Sequence, residues 1–303
     1  IGKKKAKTYL IKNGLYAKKS AVGIEYSHKY TKCFMPTISD TEYDLAVSFL
    51  TPHYFVAEKV KAKKKVAFIH TDYSYITVDT VSELAMWSKY DAIAAVSEAV
   101  KESFVMLFPS LASKVAVIEN INPVALIKAR ADEFEPTDEM PDDGYVKILS
   151  VGRFCDAKNF ESIPYKISLL KEKGVKAKWY IIGYGDDSLI KASIKNTSTE
   201  NEVVILGKKT NPYPYIKRCD IYAQPSRYEG KAVTVLEAQI LEKFVIISNY
   251  KTANSQLING VNGVIAPMDD EGFVDTLYEF ILKDNNRNDI ISNCKTEDFS
   301  NSV

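Results

Sequence analysis

The chain of 303 residues is long enough for about two domains at roughly 150 residues each. Its composition, 46% hydrophobic and 26% charged with 13 Gly and 11 Pro, excludes a disordered, collagen-like or low-complexity protein. The net charge of +1 conceals an asymmetry, because residues 1–32 hold nine Lys against Glu25 alone.

In chain order, the opening stretch to residue 42 is basic and poorly patterned. It has no continuous apolar centre of the signal-peptide kind, and no run in the chain approaches the about 20 apolar residues that cross a bilayer. A second basic cluster follows at Lys59, Lys61, Lys63, Lys64 and Lys65. Such lysines suit an anionic lipid headgroup or a phosphate-bearing acceptor, and equally a solvated face. No nucleic-acid motif accompanies them, so nucleic acid is not an expected partner. Cys33, Cys155, Cys219 and Cys294 stand far apart without a CxxC pair, which predicts free thiols and no zinc site. The expected location is cytoplasmic, at most peripheral on the inner face of a membrane.

From residue 43 onward, β-branched runs alternate with helical patterns. Strands are predicted at 43–49, 66–70, 92–96, 115–118, 146–151, 178–182, 203–206, 220–223, 244–247 and 263–265. The clearest helices are predicted at 97–107, 160–173, 231–241 and 271–282. Nearly all-apolar strands, each followed by a helix, indicate α/β architecture with parallel sheets covered on both faces. Residues 132–144 (DEFEPTDEMPDDG) carry seven acidic residues and two prolines without periodicity, and are expected to link two domains, 1–131 and 145–303. The first domain looks short at its start.

The segment 220–239, DIYAQPSRYEGKAVTVLEAQ, concentrates the chemistry. A strand breaks at Pro225 and reaches Glu229 and Gly230 before a helix begins. Gly230 lets the backbone approach a ligand, and the amides of Lys231, Ala232, Val233 and Thr234 would stand free at the helix start, where anions bind. Glu237 lies eight positions after Glu229, about two turns on, which separates the carboxylates by roughly 9–12 Å along the axis. Two hydroxyl acceptors flanking a phosphate-binding helix end make a clamp for a sugar, a diphosphate and a ribose.

This Glu-x7-Glu spacing resembles the motif of retaining glycosyltransferases of family 4, which have the GT-B fold. VGRFCDAKN at 151–159 resembles that family's Gly-Arg-Phe…Lys motif, and IIGYGDD at 181–187 its Gly-x-Gly turn. The run from ILGKK to RYEG resembles its approach to the first glutamate, and KVAFIHTDYS the strand and loop bearing its active-site histidine. The resemblance implies two doubly wound Rossmann-like domains facing a cleft. It implies that Arg153 and Lys158 stabilise the departing diphosphate, and that Glu229 holds the donor-sugar hydroxyls and Glu237 the ribose. Gly230–Val233 would lie near the sugar and phosphates, Gly207 and Lys208 near the base, and His70 against the transferred sugar. Lys231 stands where an apolar or small residue is commoner in the family, and it would add a cation.

No two aspartates are separated by one residue, so the Asp-x-Asp metal motif of GT-A transferases is missing, and Gly183-Tyr184-Gly185 lacks the third glycine of a dinucleotide fingerprint. The expected activity is metal-independent, retaining transfer of a hexose-type sugar from a UDP- or GDP-sugar to a saccharide or lipid-linked acceptor. The alternatives are a GT-B nucleotide-sugar epimerase and a non-catalytic donor-binding accessory subunit.

Overall fold

The computed structural model describes residues 1–15, 20–120, 123–282, 284–296 and 299. The chain divides into two compact units, Ile1–Asn120 and Ile121–Val303.

The first unit runs α1 (Gly2–Lys12), α2 (Val22–Thr31), β1 (Tyr43–Ser48), α3 (His53–Lys59), β2 (Ala62–Ile69), α4 (Thr80–Trp87), β3 (Ala92–Ala95), α5 (Glu98–Leu107) and β4 (Val115–Val117). All four strands are parallel, in the order β1-β2-β3-β4. One sheet face is sealed by the helices: Ala67, Ile69, Ile93 and Val115 pack with Trp87 and Phe104. Side chains alternate across a strand, so Tyr43, Leu45 and Val47 fall on the opposite face of β1, where they are exposed. Asp79 and Ser97 cap α4 and α5 by accepting from the amides of Ser82 and Val100. The opening stretch, expected to be poorly patterned, instead folds as α1 and α2, which close on Ala6, Val22 and Tyr26. Buried side-chain bonds hold α2 to the rest of the unit, from Tyr26 to Asp79 at 2.7 Å and from Tyr54 to Glu25 at 3.1 Å. An alternation count misses this, because Lys fills the outer face of α1 and so few apolar positions remain.

The second unit runs α6 (Val124–Ala131), β5 (Val146–Val151), α7 (Ile163–Glu172), β6 (Ala177–Ile182), α8 (Ser188–Thr197), β7 (Val203–Gly207), α9 (Tyr213–Arg218), β8 (Ile221–Gln224), α10 (Val233–Ile240), β9 (Phe244–Ser248), β10 (Val264–Ala266), α11 (Asp270–Leu282) and α12 (Asp284–Thr296). Its parallel sheet has the order β10-β9-β8-β5-β6-β7. Neighbouring residues of β5 serve opposite faces. Ile148 pairs with Trp179 and Ile221 in one core, and Leu149 pairs with Tyr180 and Tyr222 in the other. Both faces are therefore buried, as near-continuous Val and Ile runs require. The chain builds outward from β5 through β6 to β7, then returns to add β8, β9 and β10 on the other side. The carboxyl ends of β5 and β8 thus flank a topological switch point, where open α/β sheets bind ligands.

The two units meet at Asn120–Ile121, ahead of the acidic stretch, and α6 belongs to the second unit. The stretch at 132–144 is a strap on that unit. Its carboxylates find cations: Asp132 pairs with Lys217, Glu139 with Lys209, Asp142 with Lys147 and Arg218, and Asp143 with Lys178. Met140 seats in the core without any exposed surface. Seven like charges in thirteen positions suggest a solvated linker only while their partners, far away in sequence, go unseen.

Candidate functional site

The carboxyl ends of β5, β6 and β7 each finish on a glycine, and the ladder continues through them. The Gly152 amide donates to Ile182 O and the Gly183 amide to Gly207 O, both at 2.9 Å. A Cβ at Gly183 would lie 1.9 Å from Gly152 O, so only glycine fits that close approach. A Cβ at Gly152 would lie 3.0 Å from Lys158 Cε, so the lysine stem runs over bare backbone. Lys158 ends a 3-10 turn, Asp156–Lys158, that Asn159 closes in the left-handed conformation at φ 57°.

From there Lys158 Nζ reaches Glu229 Oε1 at 2.5 Å, with 17% and 12% of the two side chains exposed. The same Oε1 accepts from Ser226 Oγ at 2.6 Å, and Thr252 Oγ1 donates to the Glu229 carbonyl at 2.8 Å. Arg227 ties the two loops together: its amide donates to Ala157 O, and its guanidinium to Asp156 O at 2.8 Å and to Glu161 at 2.6 Å. Sequence elements 71 positions apart are thereby fixed at the switch point. Arg153 is exposed on the same loop, where its positive charge acts on the half-buried Tyr228 hydroxyl. Burial raises the pKa of that hydroxyl.

Helix α10 starts at Val233, two residues later than expected. Lys231 and Ala232 lie ahead of it, and Ala232 N already donates to Gln256 Oε1 at 3.3 Å. One of the four amides expected to be free is therefore engaged, because Gln256, held in turn by Tyr250 OH at 2.6 Å, reaches in from beyond β9. Val233 is exposed, and Thr234 Oγ1 is buried with no hydrogen-bond partner. Glu237, on the second turn, accepts from Tyr213 OH at 2.9 Å. Burial raises its pKa and the tyrosine bond partly offsets this. At the end of β7, Gly207 sits at φ 71° and Lys208 extends its Nζ over the Tyr184 ring at 5.5 Å.

In the first unit, His70 follows β2 with the Phe49 ring edge-on at 4.6 Å and Phe68 stacked at 6.0 Å. Its Nε2 is buried and unpartnered, and burial lowers its pKa, which leaves a neutral imidazole with one uncommitted nitrogen at pH 7. His53 is bonded to Ser48 at 2.9 Å and its pKa is pushed down to about 4 by burial and then by His70. Lys61, Lys63 and Lys64 are paired with Asp40, Asp44 and Asp91, so the second basic cluster is largely neutralised where it stands. None of the four cysteines is joined in a disulfide. Among the described residues no helix is long and apolar enough to cross a membrane, and no His, Cys, Asp or Glu group has the arrangement of a metal site.

The structure therefore brings together Lys158 and Glu229, with Gly152, Gly183 and Gly207 at the adjoining strand ends. Reasoning from sequence missed Ser226, Gln224, Tyr213 and Gln256, which hold the two glutamates and the turn into α10. A signal existed for the first two: Tyr222-x-Gln224-x-Ser226 places polar groups at period two in an otherwise apolar strand.

Comparison with known proteins follows the same lines. The family described as "Glycosyl transferases group 1" matches residues 132–297. A Campylobacter jejuni protein is 29% identical over 140 residues, which is 45% of this chain and 37% of that protein. It is named N-acetylgalactosamine-N,N'-diacetylbacillosaminyl-diphospho-undecaprenol 4-alpha-N-acetylgalactosaminyltransferase. The capsular polysaccharide biosynthesis glycosyltransferase CapM of Staphylococcus aureus is 23% identical over 219 residues, 70% of this chain and 57% of that one. The chain thus spans less than two thirds of either relative's length. Anabaena HepE, solved with UDP and glucose, aligns with a TM-score of 0.71 at 17% identity, over 84% of this chain and 72% of that one. Together with the two parallel sheets, that likeness identifies a GT-B-like fold.

Proposed function

We propose a reaction for a chain that belongs to the group 1 glycosyl transferases and is a glycosyltransferase: a hexose-type sugar passes from a UDP- or GDP-linked donor to a saccharide or lipid-linked acceptor, with retention at the anomeric carbon. The observation that carries it is the Lys158–Glu229 pair at the switch point, with Glu229 two residues ahead of Lys231 and four ahead of the start of α10. Lys158 and Arg153 present positive charge to a diphosphate as it leaves, and the amides of Val233 and Thr234 at the start of α10 add donors. This is a metal-independent way to stabilise the departing phosphates. Glu229 takes hydroxyls of the donor sugar and Glu237 those of the ribose, while Gly207 and Lys208 border the base.

UDP in the HepE complex supports the donor class, and the diphospho-undecaprenol in the Campylobacter enzyme's name supports a lipid-linked acceptor. A thermal-shift panel of UDP- and GDP-sugars tests the reading, since a ligand at 100 times its Kd stabilises by about 2.7 kcal/mol. Failure of every nucleotide sugar to raise the melting temperature would count against it. Glu237→Ala should mainly weaken donor binding, because ribose contacts are alike in ground and transition states. Glu229→Ala should lower kcat as well, since the sugar it holds is what distorts. Equal effects on KM alone from both would overturn that division.

Residence at the inner face of a membrane belongs to the same proposal, and we assign the contact to α1, whose Lys3, Lys4, Lys7 and Lys12 are exposed. Each lysine near an anionic surface contributes about 1 kcal/mol. Changing Lys3, Lys4 and Lys12 to Ser should abolish co-sedimentation with phosphatidylserine vesicles, whereas changing Lys61, Lys63 and Lys64, each paired with an aspartate, should weaken it little. A protein that stays in the supernatant at about 0.15 M salt, where charges are screened beyond about 8 Å, refutes the membrane contact.

A further inference from the structure

Three polar side chains stand in line inside the second unit: Tyr222, Gln224 and Ser226, each without exposed surface. As residues i, i+2 and i+4 they share one face of the β8 strand and its extension. Their hydrogen bonds run in one direction. Tyr222 OH donates to Gln224 Oε1 at 2.9 Å, Gln224 Nε2 donates to Ser226 Oγ at 2.8 Å, and Ser226 Oγ donates to Glu229 Oε1 at 2.6 Å. Each proton points toward the carboxylate, the sense in which neighbouring bonds strengthen one another. Burying polar groups costs free energy unless each finds a partner, and here each does.

The serine hydroxyl has a single proton to give. Gln224 occupies its oxygen from behind, so the proton is committed to Glu229. Lys158 also bonds this Oε1, but an ammonium on a flexible stem fixes charge better than direction. The backbone around the serine is held as well: Ser248 Oγ donates to Ser226 O at 2.5 Å, and Thr252 Oγ1 holds the Glu229 carbonyl. With Oε1 engaged by two donors, Oε2 is the oxygen that can take a further one.

We propose that Ser226, backed by Gln224 and Tyr222, is the positioning residue that orients the Glu229 carboxylate, and so sets how strongly the site prefers a nucleotide sugar to the bare nucleotide. This rests on the reading of Glu229 as the acceptor for donor-sugar hydroxyls.

The test measures Kd by calorimetry on the full chain, for UDP against UDP-glucose and UDP-N-acetylgalactosamine, and for GDP against GDP-mannose. Ser226→Ala should leave nucleotide affinity unchanged and cut the sugar's contribution roughly tenfold, the scale of one hydrogen bond to a charged group. Gln224→Met keeps the serine at similar volume and should cause a smaller loss in the same direction, which tests the relay should Ser226→Ala fold poorly. In a Glu229→Ala background, Ser226→Ala should add nothing, because its effect runs through that carboxylate. Equal loss of affinity for nucleotide and nucleotide sugar, or an undiminished effect in the Glu229→Ala background, would mark a merely structural serine and overturn the proposal. If Glu229→Ala itself leaves the sugar's contribution intact, the reading of Glu229 fails. If no nucleotide binds, the donor-site reading fails, and this inference falls with it.

Discussion

Lys158→Ala should lower kcat/KM by roughly 10²–10³, as removal of other groups that stabilise transition-state charge does. It should also lower the melting temperature. Its ammonium lies against Glu229 with both side chains mostly buried, so its loss leaves a carboxylate that Ser226 alone must satisfy. Removing one partner of a fully buried pair costs about 3–5 kcal/mol, and the residual exposure here places the expected cost below that range. Arg153→Ala should cost similar activity without loss of stability, because Arg153 is exposed and makes no ion pair among the described residues. The two cations are expected to be equivalent in chemistry and different in structure. Donor kinetics and thermal melts on both variants check this; near-normal turnover in either removes that residue from the site, and unchanged melting of Lys158→Ala contradicts the buried pair.

Gly183→Ala should be among the most damaging single substitutions in the chain. The added Cβ would stand 1.9 Å from Gly152 O and 2.7 Å from the Phe154 ring. The obstacle is backbone, which cannot swing aside as a flexible side chain does. Either β5 and β6 separate at their carboxyl ends or the loop carrying Arg153 and Lys158 moves. Overpacking of this kind typically costs about 1–3 kcal/mol, and more where backbone must shift. Donor affinity should fall with stability, since a misplacement of about 1 Å at a reacting group can cost 10²-fold. Gly174→Ala is a useful contrast: a Cβ there meets nothing within 4 Å, and only its φ of 79° is strained. A Gly183→Ala protein that melts and binds like the parent would show that the close approach is unnecessary.

The strands were legible because a buried parallel sheet keeps its strands predominantly apolar. Each of the ten predicted runs overlaps an observed strand. The motif around Glu229 was equally legible, since a broken strand, a glycine and a helix start are local features. What escaped was non-local. The acidic run at 132–144 carries no sign that Lys147, Lys178, Lys209 and Arg218 await it. Gln256 gives no hint in its own neighbourhood that it will occupy the amide of Ala232. Helix α1 was hidden by its own solubility, because only Gly2 and Ala6 are buried in it.

The acidic strap bears on how the second unit can be separated from the first. Composition suggests cutting at residue 145, where the charged run ends. A polypeptide starting there would lack Ile127, Ala131 and Met140, three buried members of its own core. It would also strand Arg218, whose Nε donates to Met140 O at 2.5 Å, in a half-buried position without its carboxylates. The compact second unit includes α6 and the strap, so proteolytic nicking should spare the strap despite its charged, unpatterned sequence. A donor-binding fragment for crystallisation or labelling should therefore keep everything from Val124 onward.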